Sequence, residues 1–405
     1  MKYNILLVSD YPIAEVMGGA VRVLYEQSTC LAERGHFVNI LTREENFNKG
    51  YSKINSVKEW KYKTDSSNPL SFLISTLLNS RKLFEFVTER YSFDHIIFYQ
   101  PFSAYGVLRS KKCNNVNKIY SCFSFSFEEF RSRNDKPHGI IKKITFELES
   151  LIRKKWEAKV LNKSENVIAL SQFTEDKLRD VYSIPKEKIR LIPGGVDLNR
   201  FRPLKEKLAI RKQLKVPTGK IVLFCVRNLV QRMGLENLIN ALKIVIKNAP
   251  DIYLIIGGEG SLKDELISLT RNLDVKEYIK FVGFIPDEQL PDYYGMADLF
   301  VLPTKELEGF GLVTLEAMAS GLPVVGTPVG GTKEILGNFD PSFLFKGTDS
   351  NSIAELILKN YLLIKQNPEK WKQISYQCRN FVEGNYSWGK NIDSLEELFE
   401  KTTNN

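Results

Sequence analysis

Twice along this chain the same succession recurs: a short apolar run, a loop containing glycine, then a helix-prone stretch. The first half opens with an apolar run at Asn4–Ser9, a loop Asp10–Gly19, a helical pattern Ala20–Arg34, Gly35 as a stop and a second run Phe37–Thr42. Further strands are expected at Ile96–Tyr99, Lys118–Ser121, Asn166–Leu170 and Ile189–Ile192, with helical stretches between them. Ser171 and Glu175 mark a helix entry after the third of these. The pattern restarts with strands at Lys220–Cys225, Tyr253–Ile256, Ile279–Val282, Leu299–Leu302 and Pro323–Gly326. Helices Gly234–Lys247, Leu262–Asn272, Asp287–Tyr294 and Gly311–Ser320 alternate with them. Strand–helix–strand repetition builds a doubly wound parallel sheet, and 405 residues exceed what one core fills. The expectation is therefore two α/β domains, 1–198 and 199–380, joined through the charged, proline-bearing segment Asn199–Gly219. A helical tail follows, 381–405, its pattern running from Trp371 through Trp388 to Lys401. Facing sheets of this kind place a ligand in a cleft at the carboxyl ends of their strands.

Within that frame one stretch concentrates chemistry. Asp298-Leu-Phe-Val-Leu-Pro303 reads as a buried strand, Glu308-Gly-Phe-Gly311 as a glycine loop, and Leu312 onward as a helix bearing Glu316. A strand–glycine loop–helix junction aims free backbone N–H groups and the positive end of a helix at its ligand, which suits phosphate. A carboxylate before the helix and another on it could each hold paired sugar hydroxyls. Taken alone, two glutamates eight positions apart read as solvated side chains. Gly18-Gly19 likewise follows a first-half strand, so both glycine loops lie on the strand-end side of their halves.

Bulk composition narrows the setting. Five cysteines without CxxC spacing fit reduced thiols rather than a disulfide frame or zinc site. No leader pattern and no run of about 18 apolar residues is visible, so the expected location is the cytoplasm. The net charge of +9 is uneven: 131–163 holds ten Lys/Arg against four acids. Trp156, Ile141, Ile144, Phe146, Leu148, Leu151 and Ile152 interleave with these cations. That segment reads either as a solvated helix face or as a peripheral contact with an anionic membrane, each cation adding about 1 kcal/mol. No nucleic-acid module is visible, and oligomeric state is left open.

The segments Val167-Ile-Ala-Leu-Ser171, Leu191-Ile-Pro-Gly-Gly-Val-Asp-Leu-Asn-Arg-Phe-Arg-Pro203, Met233-Gly-Leu-Glu-Asn-Leu-Ile-Asn-Ala241, Ile255-Ile-Gly-Gly-Glu-Gly-Ser261, Phe281-Val-Gly-Phe-Ile-Pro286 and Glu308–Glu316 together resemble the retaining glycosyltransferases of family four. The resemblance implies the GT-B fold: two Rossmann-like domains facing a cleft, the first for the acceptor and the second for the nucleotide sugar. Tyr386-Ser-Trp388 resembles the family's closing helix, which crosses back to the first domain. By position, Glu308 would hold donor-sugar hydroxyls and Glu316 the ribose. The start of the helix, Gly309, Phe310, Gly311, Leu312 and Val313, would face the diphosphate and sugar through backbone N–H groups. Val282, Phe284 and Ile285 would take the base, and Gly18 and Gly19 would approach the diphosphate from the first domain. The resemblance also implies no cofactor and no metal, in keeping with the lack of an Asp-x-Asp sequence. The donor would be a nucleoside-diphosphate sugar, a UDP-sugar first and a GDP-sugar second, and the acceptor a glycan or lipid-linked hydroxyl.

Two departures stand out. The family's Arg-x4-Lys pair falls on Asn228 and Met233, while Arg227 and Arg232 sit one place earlier at the same spacing. Either these arginines form the diphosphate clamp in a shifted loop, or the clamp is weakened. The usual active-site histidine falls on Phe123, and an upstream one on Tyr99. The chain's three histidines, His36, His95 and His138, occupy other contexts. Ser121, Ser124, Ser126, Glu128, Glu129 and Tyr99 are the polar groups nearby in sequence. The leading reading is a metal-independent hexosyltransferase with Glu308, Arg227 and Arg232 in catalysis and Tyr99 and Phe123 at the substrate. The alternative is a catalytically silent homologue serving as a nucleotide- or glycan-binding partner subunit. A nicotinamide-linked oxidoreductase is disfavoured, because Gly257-Gly-Glu-Gly260 falls short of G-x-G-x-x-G.

Overall fold

Runs rich in Val, Ile and Leu with no polar alternation suit strands covered on both faces. The computed structural model, which describes residues 1–13, 18–44, 51–54, 56–133 and 139–403, places them there. The chain divides into two units: Met1–Gly194 together with the chain from Trp388 onward, and Gly195–Ser387. In the first, β1 (Asn4–Val8), β2 (Phe37–Glu44), β3 (Tyr51–Ile54), β4 (Val57–Lys63), β5 (His95–Phe98), β6 (Asn117–Cys122), β7 (Asn166–Ala169) and β8 (Ile189–Leu191) form one sheet. Its order is β3-β4-β2-β1-β5-β6-β7-β8, parallel except for the antiparallel edge strand β3. Residues Ile5 to Val8 of the central strand β1 are fully buried.

Six helices follow in that unit: α1 (Gly19–Glu33), α2 (Pro69–Thr88), α3 (Pro101–Val107), α4 (Ser126–Arg133), α5 (Ile140–Lys163) and α6 (Gln172–Tyr182). Helix α1 stops as Gly35 suggests: the Gly35 and His36 N–H groups donate to Ala32 and Leu31 carbonyls, the paired bonds of a Schellman end. Ser171 caps α6 through the Thr174 N–H at 3.1 Å.

The second unit repeats the scheme. After α7 (Lys207–Gln213) come β9 (Ile221–Val226), α8 (Leu235–Val245), β10 (Ile252–Gly257), α9 (Lys263–Asn272), β11 (Ile279–Gly283), α10 (Leu290–Met296), β12 (Leu299–Leu302), α11 (Leu312–Ala319) and β13 (Val324–Gly326). The five strands are all parallel, in the order β11-β10-β9-β12-β13. Helices α12 (Gly330–Phe339), α13 (Ser350–Gln366) and α14 (Pro368–Asn385) complete it.

The closing helix α15 (Trp388–Thr403) belongs to the first unit. Phe399 stacks on His95 at 4.5 Å and meets Tyr3 edge-on. His36 accepts the Tyr3 N–H on Nδ1, so its Nε2 carries the proton and donates to Glu396 at 2.8 Å. Burial lowers the His95 imidazole to about 4, which makes it a neutral packing residue at the entry of β5. His138 lies outside the described residues, as do 14–17 of the first loop and 134–138 of the basic stretch.

Two features differ from the sequence reading. The tail is two helices rather than one continuous pattern, parted at Tyr386-Ser387, and Ser387 pairs with Val196 as an isolated bridge. Strands β3 and β4 lie where the sequence marked none. Val57-Lys-Glu-Trp-Lys-Tyr-Lys63 alternates charge with bulk, yet Glu59 is fully buried. Its carboxylate accepts from Ile13 N–H at 3.0 Å and Thr42 hydroxyl at 2.9 Å, so an acidic residue fills a core position and conceals the strand.

Candidate active site

The loops leaving the carboxyl ends of β9, β10, β11, β12 and β13 are fastened to one another by backbone. Arg227 N–H donates to Gly257 O, Gly258 N–H to Gly283 O, Lys305 N–H to Arg232 O and Gly331 N–H to Glu308 O. At Gly330, with φ +54, an added Cβ would lie 1.8 Å from the Glu308 carbonyl oxygen. Gly311, with φ +94, caps α11 against Thr332. A side chain at either position would be strained and would push the glutamate loop outward. Leu307 also has positive φ, +56, a conformation costing a bulky residue about 1–2 kcal/mol. Arg232 holds it, Nη1 donating to the Leu307 carbonyl at 3.0 Å.

That strained turn delivers Glu308 into the site with its carboxylate buried. Arg227 Nη2 donates to Glu308 Oε2 and to Thr304 Oγ1, and Thr304 in turn donates to Glu308 at 3.3 Å. The Arg227 Nε points at the Met233 sulfur at 3.2 Å. Both charged side chains are less than a tenth exposed, 8% and 9%, so each depends on the other for compensation. Arg232 lies on the far side of the same turn. Thus the two arginines five residues apart bracket the Leu307-Glu308 segment, one through its backbone and one through its carboxylate.

Eight residues on, α11 carries Glu316 inward. Its Oε2 accepts the Tyr294 hydroxyl at 2.8 Å, and the carboxyl is 8% exposed. Burial, then the neighbouring Glu316 charge, pushes the Tyr294 phenol well above its ordinary value, so it remains a donor. The first amides of α11, at Leu312 and Val313, have no intrahelical acceptor and stand at the positive end of the helix. Phe310 is buried, its ring 6.1 Å from Tyr386, so only its backbone is available to a ligand. At the end of β11 Val282 is half-buried, and in the loop beyond it Phe284 is 57% exposed and Ile285 buried.

The corresponding edge of the first unit is built differently. Gly18, φ +88, caps α1, and Gly19 begins it; both are exposed, and nothing lies within 4 Å of where a Gly18 Cβ would sit. Glu59 and Asp10 brace the entry to that loop. Asp10 receives Ser103 N–H at 2.8 Å at the start of α3, and burial raises its carboxyl pKa. Tyr99 is buried and stacked on Phe123 at 5.7 Å. Its hydroxyl donates to Gln27, which donates to Asn391 of α15 at 2.8 Å. Ser124 donates to Glu129 at 2.7 Å, while Glu128 pairs with Lys177. Beneath α4, fully buried Glu157 accepts from Tyr120 at 3.0 Å, Tyr182 at 2.5 Å and the Ser126 N–H at 3.1 Å. Burial pushes its carboxyl up to about 7.

Two family models match this chain in succession: Glycosyltransferase Family 4 over residues 17–200, and Glycosyl transferases group 1 over residues 206–380. The chain belongs to glycosyltransferase family four. The GDP-mannose-dependent alpha-(1-6)-phosphatidylinositol monomannoside mannosyltransferase of Mycolicibacterium smegmatis is 29% identical over 243 residues, covering 58% of this chain and 62% of that protein. Mannosylfructose-phosphate synthase of Agrobacterium fabrum is 33% identical over 199 residues, 46% of this chain and 43% of that one. This family-four chain thus spans less than two thirds of the length of these curated relatives. Sucrose-phosphate synthase from Thermosynechococcus elongatus superposes with a TM-score of 0.83 at 22% identity, over 99% of both chains, a likeness of fold. Both units are therefore the Rossmann-like halves of a GT-B protein.

Of the residues expected at a family-four site, the structure gathers Glu308, Arg227, Arg232, Gly309 to Val313 and Glu316 on one strand edge. The Tyr99 hydroxyl is engaged internally, and Phe123 presents an aromatic face. Thr304, Tyr294, Glu157 and Glu59 were not singled out in the sequence. Each acts by holding another group, and nothing in its local spacing signals that. Among the described residues, no group of three or more His, Cys, Asp or Glu side chains could hold a metal ion.

Proposed function

We propose that this chain transfers a hexosyl unit from a nucleoside-diphosphate sugar to an acceptor hydroxyl with retention of configuration. The observation that carries the reading is the Arg227–Glu308–Thr304 cluster beside the start of α11. A diphosphate arriving at the α11 amides would draw on Arg227 and Arg232, whose planar forks suit paired phosphate oxygens. Arg227 would then loosen its hold on Glu308 and free that carboxylate for sugar hydroxyls. Glu316, already oriented by Tyr294, would take the ribose, and the segment Val282 to Ile285 the base. Charge grows on the leaving diphosphate as the glycosidic bond breaks, so cations and helix amides there favour the transition state over the ground state. On this reading they do so without a metal ion. In the first unit, Gly18 and Gly19 present exposed backbone at the start of α1, and Ser124 and Glu129 are the polar groups beside Phe123.

The Mycolicibacterium smegmatis relative is named as GDP-mannose-dependent, so GDP-mannose joins UDP-sugars at the head of the donors to test. That relative's lipid-borne acceptor makes a lipid-linked hydroxyl the first acceptor class to try, with soluble glycans beside it. The experiment is a donor panel read by thermal stabilisation and by nucleoside-diphosphate release with each acceptor class. Stabilisation by one donor, with product formed, is expected. A donor at 100 times its Kd adds about 2.7 kcal/mol of stability. The absence of both stabilisation and product across the panel overturns the proposal.

The Phe123–Tyr99 stack, standing where the family's imidazole is expected, favours a second reading: a non-catalytic homologue that binds nucleotide or glycan beside an active subunit. Donor stabilisation without turnover for any acceptor would select it.

A further inference from the structure

The outward face of α5 carries Ile140, Ile144, Leu148 and Leu151, between 47% and 78% exposed. Their spacing of four, four and three places them along one stripe of the helix. The aromatic residues of the same segment turn the other way. Trp156 packs on Tyr105 at 4.9 Å and Phe102 at 6.2 Å, and Phe146 on Phe130 at 4.9 Å. A merely solvated face would present charge there, not four large aliphatic side chains.

Cations border the stripe, Lys143 and Lys154 along one flank and Lys155 and Lys159 continuing its line beyond Leu151. The helix holds seven Lys/Arg against three Glu. Of those three, Glu157 is buried, Glu147 pairs with Arg131 and Glu149 with Arg153, each at 2.5 Å. Beyond the stripe's carboxyl end, a cavity of about 400 Å³ is lined by Tyr105, Leu108, Arg109, Lys159 and Lys163. It contains three cations and a phenol, with no carboxylate among the lining residues. Lys159 donates to the Tyr105 oxygen at 3.1 Å. Burial pushes that phenol up, but the hydrogen bonds from Lys159 and Arg109 outweigh it and bring it below its ordinary value. On the other flank of α3, α2 carries a matching exposed stripe of Leu70, Ile74 and Leu78.

We propose that this face of the first unit docks on an anionic phospholipid bilayer, the α5 stripe entering the acyl boundary and the Arg109/Lys159/Lys163 cavity receiving a headgroup phosphate. The pairing of an apolar stripe with flanking cations is what an in-plane interfacial helix requires, and adjacent cations with a phenol donor suit a phosphate. A second copy packed on the same face would set like charges against one another across the two-fold axis. Among the described residues no helix is long and apolar enough to cross a membrane, and the proposed contact is with the bilayer surface.

Full-length protein is sedimented with phosphatidylcholine vesicles, with and without phosphatidylglycerol, at low and high salt. Binding is expected only with phosphatidylglycerol present, and it weakens with salt. The doubly charged variant I144E/L148E loses binding by about tenfold or more. The variant K159Q/K163Q loses about fivefold in affinity per cation removed. All four positions lie at the surface, so the fold tolerates both changes. Equal binding to neutral vesicles, or full binding by both variants, overturns the proposal. So does a wild-type dimer that I144E/L148E converts to monomer, which would assign the face to a second copy. Stabilisation by inorganic phosphate without any vesicle binding overturns it as well.

Discussion

The strand ends of the two units are the same architectural location built in two ways. In the second unit, backbone sets the site: five loops are hydrogen-bonded to each other, two positive-φ glycines press against them, and Arg232 pins a left-handed Leu307. The two candidate carboxylates are pre-oriented, Glu308 by Arg227 and Thr304 and Glu316 by Tyr294. In the first unit side chains set the edge: an aromatic stack of Tyr99 and Phe123, a Ser124–Glu129 pair, and a buried glutamate under α4. A backbone-built site tolerates few substitutions, because each glycine is fixed by a close approach. A side-chain-built site can change specificity one residue at a time. Both edges depart from the pattern the resemblance implies, at Asn228 and Met233 on the proposed donor side and at Tyr99 and Phe123 on the other.

The comparison is most exposed at Glu308. Glu308→Gln is expected to lower kcat/KM by about 10²–10³-fold, read as nucleoside-diphosphate release, with the thermal midpoint followed separately because Arg227 loses its charge partner. Turnover retained within a few fold would remove Glu308 from the proposed chemistry.

On the first-unit side, Glu157 should govern how stability depends on pH. Its folded carboxyl holds a proton up to about pH 7, against an ordinary value of 4.5. The stability it contributes is therefore full below about pH 4.5 and is lost as pH rises through 7, at most about 3 kcal/mol. Glu157→Gln should flatten that slope in denaturant titrations across this window. A slope unchanged from wild type would show that another group controls it.

A pair of glycines separates the two construction modes directly. Gly330→Ala adds a Cβ clash with the Glu308 carbonyl to its backbone strain and should lose about 3 kcal/mol or more, along with donor binding. Gly18→Ala meets open space and should cost only the strain of its φ 88, ψ 164 backbone, about 1–3 kcal/mol. Equal losses in thermal melts would mean that close packing is not what distinguishes the two edges.

The smallest expected effect is at Tyr294. Tyr294→Phe removes one hydrogen bond to Glu316, worth about 1–2 kcal/mol, and should raise the donor KM several-fold while leaving kcat nearly unchanged. A fall in kcat instead would place Tyr294 in the chemical step.

Much of this protein was legible from local pattern. Uninterrupted apolar strands such as Ile5–Val8 and Leu299–Leu302 stand out because parallel strands are buried on both faces. Glycines after strands signal strand-end loops, and Gly35 and Ser171 announce helix ends by local hydrogen bonding. Strand β4 was illegible because Glu59, a core residue, reads as a surface one. The break at Tyr386-Ser387 was equally hidden, since the helical periodicity runs across it.

By itself the chain determined its class, its doubled alternation and the segment where Glu308 and Glu316 lie, because short-range periodicity and glycine placement act within a few residues. Tertiary structure alone decided which groups hold them. Thr304 is a neighbour in the same loop, but Arg227 and Tyr294 come from other elements, and only folding brings a guanidinium 81 positions away onto a carboxylate. It also turned the aromatics of α5 inward and its aliphatics outward, since helical spacing defines the faces of a helix and the neighbouring packing chooses which one is buried.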